Sequence, residues 1–172
     1  MRRYVVWSLL ASFVILMIEI YANLFIGGEN DCFYTNREDW AVIHACKSPC
    51  HQYILGYQGS LRQDHPCYLI YEQGNHLFLN MIDPDQPLFK PVLFVKSLDF
   101  IKTHIEKRKV LIHCNHGKSR SASIALLYLS KSAGVISQTN YGEATRDFLR
   151  LFPYYEPGRG IAIYLESHWN EF

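Results

Sequence analysis

The chain has 172 residues, of which 49% are hydrophobic, 15% aromatic and 19% charged. That length fits one domain, and that apolar share can bury a substantial core, which excludes global disorder. Seventeen Lys and Arg against sixteen Asp and Glu leave a formal net charge of +1, so the bulk charge does not point to nucleic acid as a partner.

Met1-Arg2-Arg3 leads an apolar run from Tyr4 to Ile18, broken by Glu19. The run is short of the roughly 20 residues that span a bilayer. A signal or membrane anchor, an extra helix packed on the domain, and a dispensable extension with Met17 as a usable start are the three readings. Residues 1–17 are set apart on this basis, and membrane contact is expected only through them. Residues 18–172 are read as a single domain.

From Ile18 onward the pattern is α/β. Asn23-Leu24-Phe25-Ile26 before Gly27-Gly28 predicts a short strand with a glycine stop. Ala41 to Ala45 predicts another. Lys47 to Pro66 is rich in turn formers and reads as a long loop, a feature that is often functional. Cys67 to Tyr71 and His76 to Met81 flank Gln73-Gly74-Asn75 and suggest a hairpin. Phe94, Leu98, Ile101 and Ile105 fall on one helical stripe. Val110-Leu111-Ile112 is a continuous apolar run, as expected of a central strand buried on both faces. Ser121 to Leu129 reads as a helix, and a last helix spans Tyr141 to Phe152 before Pro153. The expected fold is a mostly parallel sheet of four or five strands flanked by helices.

The segment Ile112-His113-Cys114-Asn115-His116-Gly117-Lys118-Ser119-Arg120-Ser121 joins the buried strand to a helix. A loop entering a helix presents unpaired N–H groups and a partial positive charge, which suits a phosphate. The same field favours a thiolate, the reactive form of cysteine. Cys114 is therefore a candidate nucleophile. Arg120, six residues on, can fold its planar fork back over the same centre and hold phosphoryl oxygens. Ser121 can donate a hydroxyl proton toward the sulfur. Asn115, His116, Gly117, Lys118 and Ser119 complete the cradle, and His113 supports it from the strand end.

This Cys-x5-Arg pattern resembles the cysteine-dependent protein tyrosine phosphatase superfamily, and the surrounding residues resemble its dual-specificity phosphatases. The likeness extends to Glu19 to Gly27, similar to the family's first strand, to Leu79 to Asp83, similar to its general-acid segment, and to Tyr141 to Phe152, similar to its closing helix. The Ala45 to His51 loop and Leu79 to Asp83 are similar to a bacterial or phage branch. The resemblance implies a phosphatase that needs no metal or cofactor and forms a cysteinyl-phosphate. Its expected substrate is a phosphorylated protein or another phosphomonoester. It also implies an upstream Asp as general acid. Asp83 lies 31 residues before Cys114, directly after the apolar strand, and is the first choice; Asp85 is the alternative. Lys118 and His116 leave a phosphoinositide or RNA 5′-phosphatase open as other substrate classes, and a catalytically weak phospho-binding module is the non-enzymatic reading.

Two other motifs compete with this one. Gly117-Lys118-Ser119 does not complete a nucleotide-binding P-loop, because Ile112 stands where that motif needs glycine. His44, Cys46, Cys50, His51, His65 and Cys67 have partly ligand-like spacing and could hold structural zinc; the competing expectation is that strand alternation splits the set between different faces. Five cysteines, an odd count without a scaffold-like spacing, point to free thiols in a reducing, cytoplasmic setting.

Overall fold

The computed structural model describes residues 17–35 and 37–172. The three N-terminal readings therefore fall on residues outside the described ones, Met17 excepted.

The sheet has six strands: β1 (Ile18–Tyr21), β2 (Leu24–Gly27), β3 (Trp40–His44), β4 (Ile70–Gln73), β5 (His76–Leu79) and β6 (Lys109–His113). Their spatial order is β1-β2-β6-β3-β5-β4. The inner four are parallel, and each edge is an antiparallel hairpin partner. The sheet thus exceeds the expected four or five strands. The added strand comes from Glu19 to Gly27, which is two strands turning at Asn23, whose φ is +63°. Asn tolerates that left-handed conformation better than most residues.

β6 occupies the centre because Val110, Leu111 and Ile112 are fully buried and pair with β2 on one side and β3 on the other. Alternation divides the strands between two cores. Ala41, Ile43, Val110 and Ile112 face the larger one, whereas Trp40, Val42 and Leu111 face a small cluster with Phe25 and Met17.

The helices are α1 (Gln52–Leu55), α2 (Pro91–His104), α3 (Arg120–Leu127), α4 (Tyr141–Leu151) and α5 (Arg159–Ser167). All but α1 send side chains into the larger core. Pro91 opens α2 at its first turn, where a missing N–H is tolerated. Its Phe94, Leu98 and Ile101 are buried, as the stripe required. All eight residues of α3 are buried; Ala122, Ser123 and Ala125 are small enough to let it lie close to the sheet. Asn140 caps α4 by accepting the Glu143 N–H at 2.9 Å.

Two elements correct the sequence reading. The Lys47 to Pro66 stretch turns over Lys47–His51, with Ser48 extended, and runs into α1, so it is only partly loop. The last helix is α5, not the Tyr141 to Phe152 segment. Ile161, Tyr164 and Leu165 carry its buried stripe, with Gly158 and Gly160 at its start, residues that would ordinarily argue against helix.

Candidate active site

The loop from Cys114 to Ser119 leaves the carboxyl end of β6 and enters α3. The Cys114 N–H donates to the Gly27 carbonyl at 3.4 Å, and the Ser123 N–H donates to the Ser119 carbonyl at 2.8 Å. Among the described residues, no backbone carbonyl accepts from the N–H groups of Asn115 to Ser119. Those donors are available to an anion, as the start of a helix favours. Gly117 has φ +75°, and a Cβ there would lie 2.9 Å from the Gly27 carbonyl oxygen. Glycine is thus required for the loop to pass beneath the end of β2.

The Cys114 side chain is buried, and its sulfur lies 3.2 Å from the Ser121 hydroxyl. Arg120 is buried too. One terminal nitrogen, Nη1, donates to the Met81 carbonyl at 3.0 Å, and Nη2 donates to Asn115 Oδ1 at 2.6 Å. Its Nε has no hydrogen-bond partner among the described residues, although Asp83 Oδ2 stands 3.8 Å away. The guanidinium is therefore held in place from two sides while its third nitrogen is buried without a hydrogen-bond partner among the described residues. Asp83 borders the same cleft as Cys114 and Arg120; Asp85 is not among the cleft residues. A Cβ at Gly158 would overlap the Asp83 carboxylate, so that glycine makes room for the Asp83 side chain.

The cleft has a volume of about 600 Å³. His116, Lys118 and Ser119 line it together with Glu29, Glu156 and Gly158. Lys118 pairs with Glu156 at 3.4 Å, which partly neutralises the second cation of the loop. Ser119 accepts the Gly158 N–H through its hydroxyl at 2.8 Å, fastening the segment before α5 to the loop. Asn115 donates to Glu29 Oε2 at 3.1 Å and to the Ser48 carbonyl at 2.9 Å, so it joins three loops while orienting Arg120. Asp31, 4% exposed, accepts the Gly28 N–H at 2.7 Å and fixes the turn beside Asn115. Sequence reasoning missed Glu29, Asp31, Glu156 and Gly158. The only signal was the turn-forming run from Gly27 to Asp31 and the glycines near α5.

His113 anchors the loop from behind. Its Nε2 lies 2.7 Å from His44 Nδ1, and His44 Nε2 lies 3.0 Å from His76 Nδ1. A row of three imidazoles thus crosses β6, β3 and β5. Burial, reinforced by the neighbouring rings, pulls His44 down to about 2. Burial likewise draws His113 down to about 4 and lowers His76. The row is neutral at pH 7.

The six-residue group singled out for zinc is divided. His51 is engaged with Tyr57 at 2.9 Å and the Cys67 carbonyl at 3.0 Å, and His65 accepts the Cys67 N–H at 3.1 Å. Cys46, Cys50 and His44 point the other way, toward His113 and Cys32. Arg146 and Arg150 pair with Glu143 and Asp147 on the exposed side of α4, away from the cleft.

No family model matches the chain. Solved structures do. The human tyrosine phosphatase-like serine/threonine/tyrosine-interacting protein is similar with a TM-score of 0.61 and 20% identity, over 90% of this chain and 96% of that one. DUSP15 gives a TM-score of 0.60 and 20% identity over 89% and 86%. A leucine rich repeat and phosphatase domain containing protein from Entamoeba histolytica gives 0.60 and 14% over 91% and 92%. The fold is that of the dual-specificity phosphatases, as the sequence resemblance implied. Among the described residues no helix is long and apolar enough to cross a membrane.

Proposed function

We propose that residues 18–172 form a phosphomonoester hydrolase of the protein tyrosine/dual-specificity kind, working through a cysteinyl-phosphate. The observation that carries this reading is the convergence of Cys114, Arg120 and Asp83 on one cleft, with the Arg120 Nε beside Asp83 left without a hydrogen bond. A buried donor without an acceptor is costly and calls for a ligand oxygen. The free N–H groups of the loop supply the remaining hydrogen bonds to a tetrahedral dianion.

In the proposed reaction Cys114 attacks phosphorus as a thiolate. The S–P bond forms as the P–O bond to the leaving group breaks, and Asp83 passes its proton to the departing oxygen. Arg120 and the loop amides hold the equatorial oxygens through the transfer. Asp83, now a carboxylate, then takes a proton from water as that water attacks phosphorus. The S–P bond breaks, phosphate leaves, and the Ser121 hydroxyl at 3.2 Å stabilises the returning sulfur anion. The substrate is a phosphorylated protein or another phosphomonoester, with phosphotyrosine the first choice.

The test is a rapid-quench experiment with a radiolabelled phosphotyrosine peptide. Denaturation during turnover should trap label on Cys114, and D83N given a labelled activated aryl phosphate, which forms the intermediate without the acid, should accumulate it. C114S should bind the peptide without turnover. Binding by the unaltered protein with neither label nor released phosphate would establish a phospho-binding module instead. Turnover of phosphoinositides or 5′-triphosphorylated RNA in preference to the peptide would reassign the substrate class.

A further inference from the structure

We propose that Cys46, Cys50 and His113, completed by Cys32, form a zinc site directly behind the Cys114 loop. The four come from three separate segments: the turn Glu29–Thr35, the segment after β3, and the end of β6. Yet the ligand atoms of Cys46, Cys50 and His113 all lie within 4.8 Å of one another, and so do those of Cys32, His44 and His113. Cys50 Sγ is 3.9 Å from His113 Nε2. The Cys50 thiol also lies close enough to the thiols of Cys46 and Cys32 to interact with each.

The dimensions suit a four-coordinate ion. With Zn–S near 2.3 Å and Zn–N near 2.0–2.1 Å, the edges of a tetrahedron are about 3.5–3.8 Å; Cys50 and His113 already stand near that separation at 3.9 Å, Cys46 is within 4.8 Å of both, and Cys32 would close in to complete the set. The chemistry suits it as well. Three thiols and an imidazole are soft and borderline donors that select zinc over magnesium or calcium, which take oxygen. Cys46 and His113 are buried, so the ion would be largely shielded from water. Binding would release the thiol protons to solvent. His113 would exchange its bond to His44 for one to the metal, leaving His44 bonded to His76.

Such a site would tie together the walls of the cleft. The turn bearing Cys32 also bears Glu29, and the turn bearing Cys50 also bears Ser48; both hold Asn115, which in turn holds Arg120. The ion would take no part in phosphoryl transfer. The inference goes beyond the proposed reaction and stands or falls separately from it.

The full chain, purified under reducing conditions, should carry one equivalent of zinc by elemental analysis. Replacement with cobalt(II) should give thiolate-to-metal charge transfer and the visible absorption of a tetrahedral site. C50S should weaken cobalt binding by at least about tenfold, with circular dichroism confirming the fold; should C50S not fold, C32S, at the outer edge of the cluster, gives the same readout. C67S, outside the cluster, and C114S should both retain the metal. Failure to bind zinc or cobalt at micromolar concentration would overturn the proposal. So would metal lost only in C114S, which would place it on the reactive cysteine, a thiolate cobalt spectrum unchanged in C50S and C32S, or a disulfide joining two of the three cysteines in metal-free reduced-and-repurified protein.

Discussion

Arg120 Nε lies 3.8 Å from Asp83 Oδ2, close enough for attraction and too far for a hydrogen bond. The other two nitrogens of the guanidinium are engaged by Met81 and Asn115. Those two bonds set the plane of the fork, and the separation from Asp83 leaves its third donor buried without a hydrogen bond. A phosphoryl group entering the cleft would lie between Arg120 and the Asp83 carboxylate, both of which line it.

Arg120→Lys removes that arrangement while keeping the charge. An ammonium cannot bond Met81, Asn115 and a phosphoryl oxygen in one plane. The expected loss in kcat/KM toward a phosphotyrosine peptide is on the order of 10²–10³, the effect of removing a transition-state donor. A loss below tenfold in steady-state assays would show that the fork does not hold the transferring group.

Asp83→Asn should act according to the leaving group. A substrate with a poor leaving group, such as a phosphoserine peptide, needs the proton most and should lose on the order of 10²–10⁴ in kcat. An activated aryl phosphate should lose much less. Asp85→Asn, outside the cleft, should leave both nearly unchanged. A Brønsted plot across aryl phosphates separates the cases: a slope identical in D83N and the unaltered protein would remove Asp83 from the role of acid.

The parts of this site that could be read from the sequence are contiguous. Cys114, Arg120 and Ser121 lie on one loop, so their spacing alone brings them together, and the apolar run before them marks the buried strand. What could not be read depends on strand order. Nothing local says that β3 lies between β6 and β5, so the row His113, His44, His76 and the meeting of Cys32 with Cys50 were hidden. The zinc grouping failed for the same reason: nearness in sequence placed His51 and His65 with Cys46, whereas the fold turns them toward Tyr57 and Cys67. Helix α5 was concealed by the glycines at its start. Gly160 is small because a Cβ there would overlap the carbonyls of Pro84 and Gln86, a tertiary reason that helix propensity does not encode.

Gly117→Ala tests the loop itself. At φ +75° a side chain is strained, and its Cβ would press on the Gly27 carbonyl at 2.9 Å. Gly59 shares the left-handed backbone, with φ +69°, but has nothing within 4 Å of such a Cβ. Alanine at Gly59 should therefore show the cost of conformation alone, roughly 1 kcal/mol, and alanine at Gly117 should exceed it. Urea unfolding of the two variants measures the difference. Equal midpoints would mean that the loop can shift away from β2 without loss.

Acid stability tests the buried histidine of the segment after β3. Burial lowers the pKa of His51, whose ring bonds Tyr57 and the Cys67 carbonyl. In the unfolded chain the same group titrates near 6.5. As pH falls below about 6.5, the unfolded chain takes up a proton that the folded one does not, so stability must decline with falling pH. Above about pH 7 both states are neutral at this position and its contribution is level. The decline continues until the folded-state value is reached. His51→Gln keeps a donor for the Cys67 carbonyl but cannot titrate, so its unfolding free energy should fall less steeply between pH 6.5 and 5. Denaturant unfolding at half-unit pH steps gives both slopes, and superimposable slopes would show that His51 takes up its proton equally in the folded and unfolded chain.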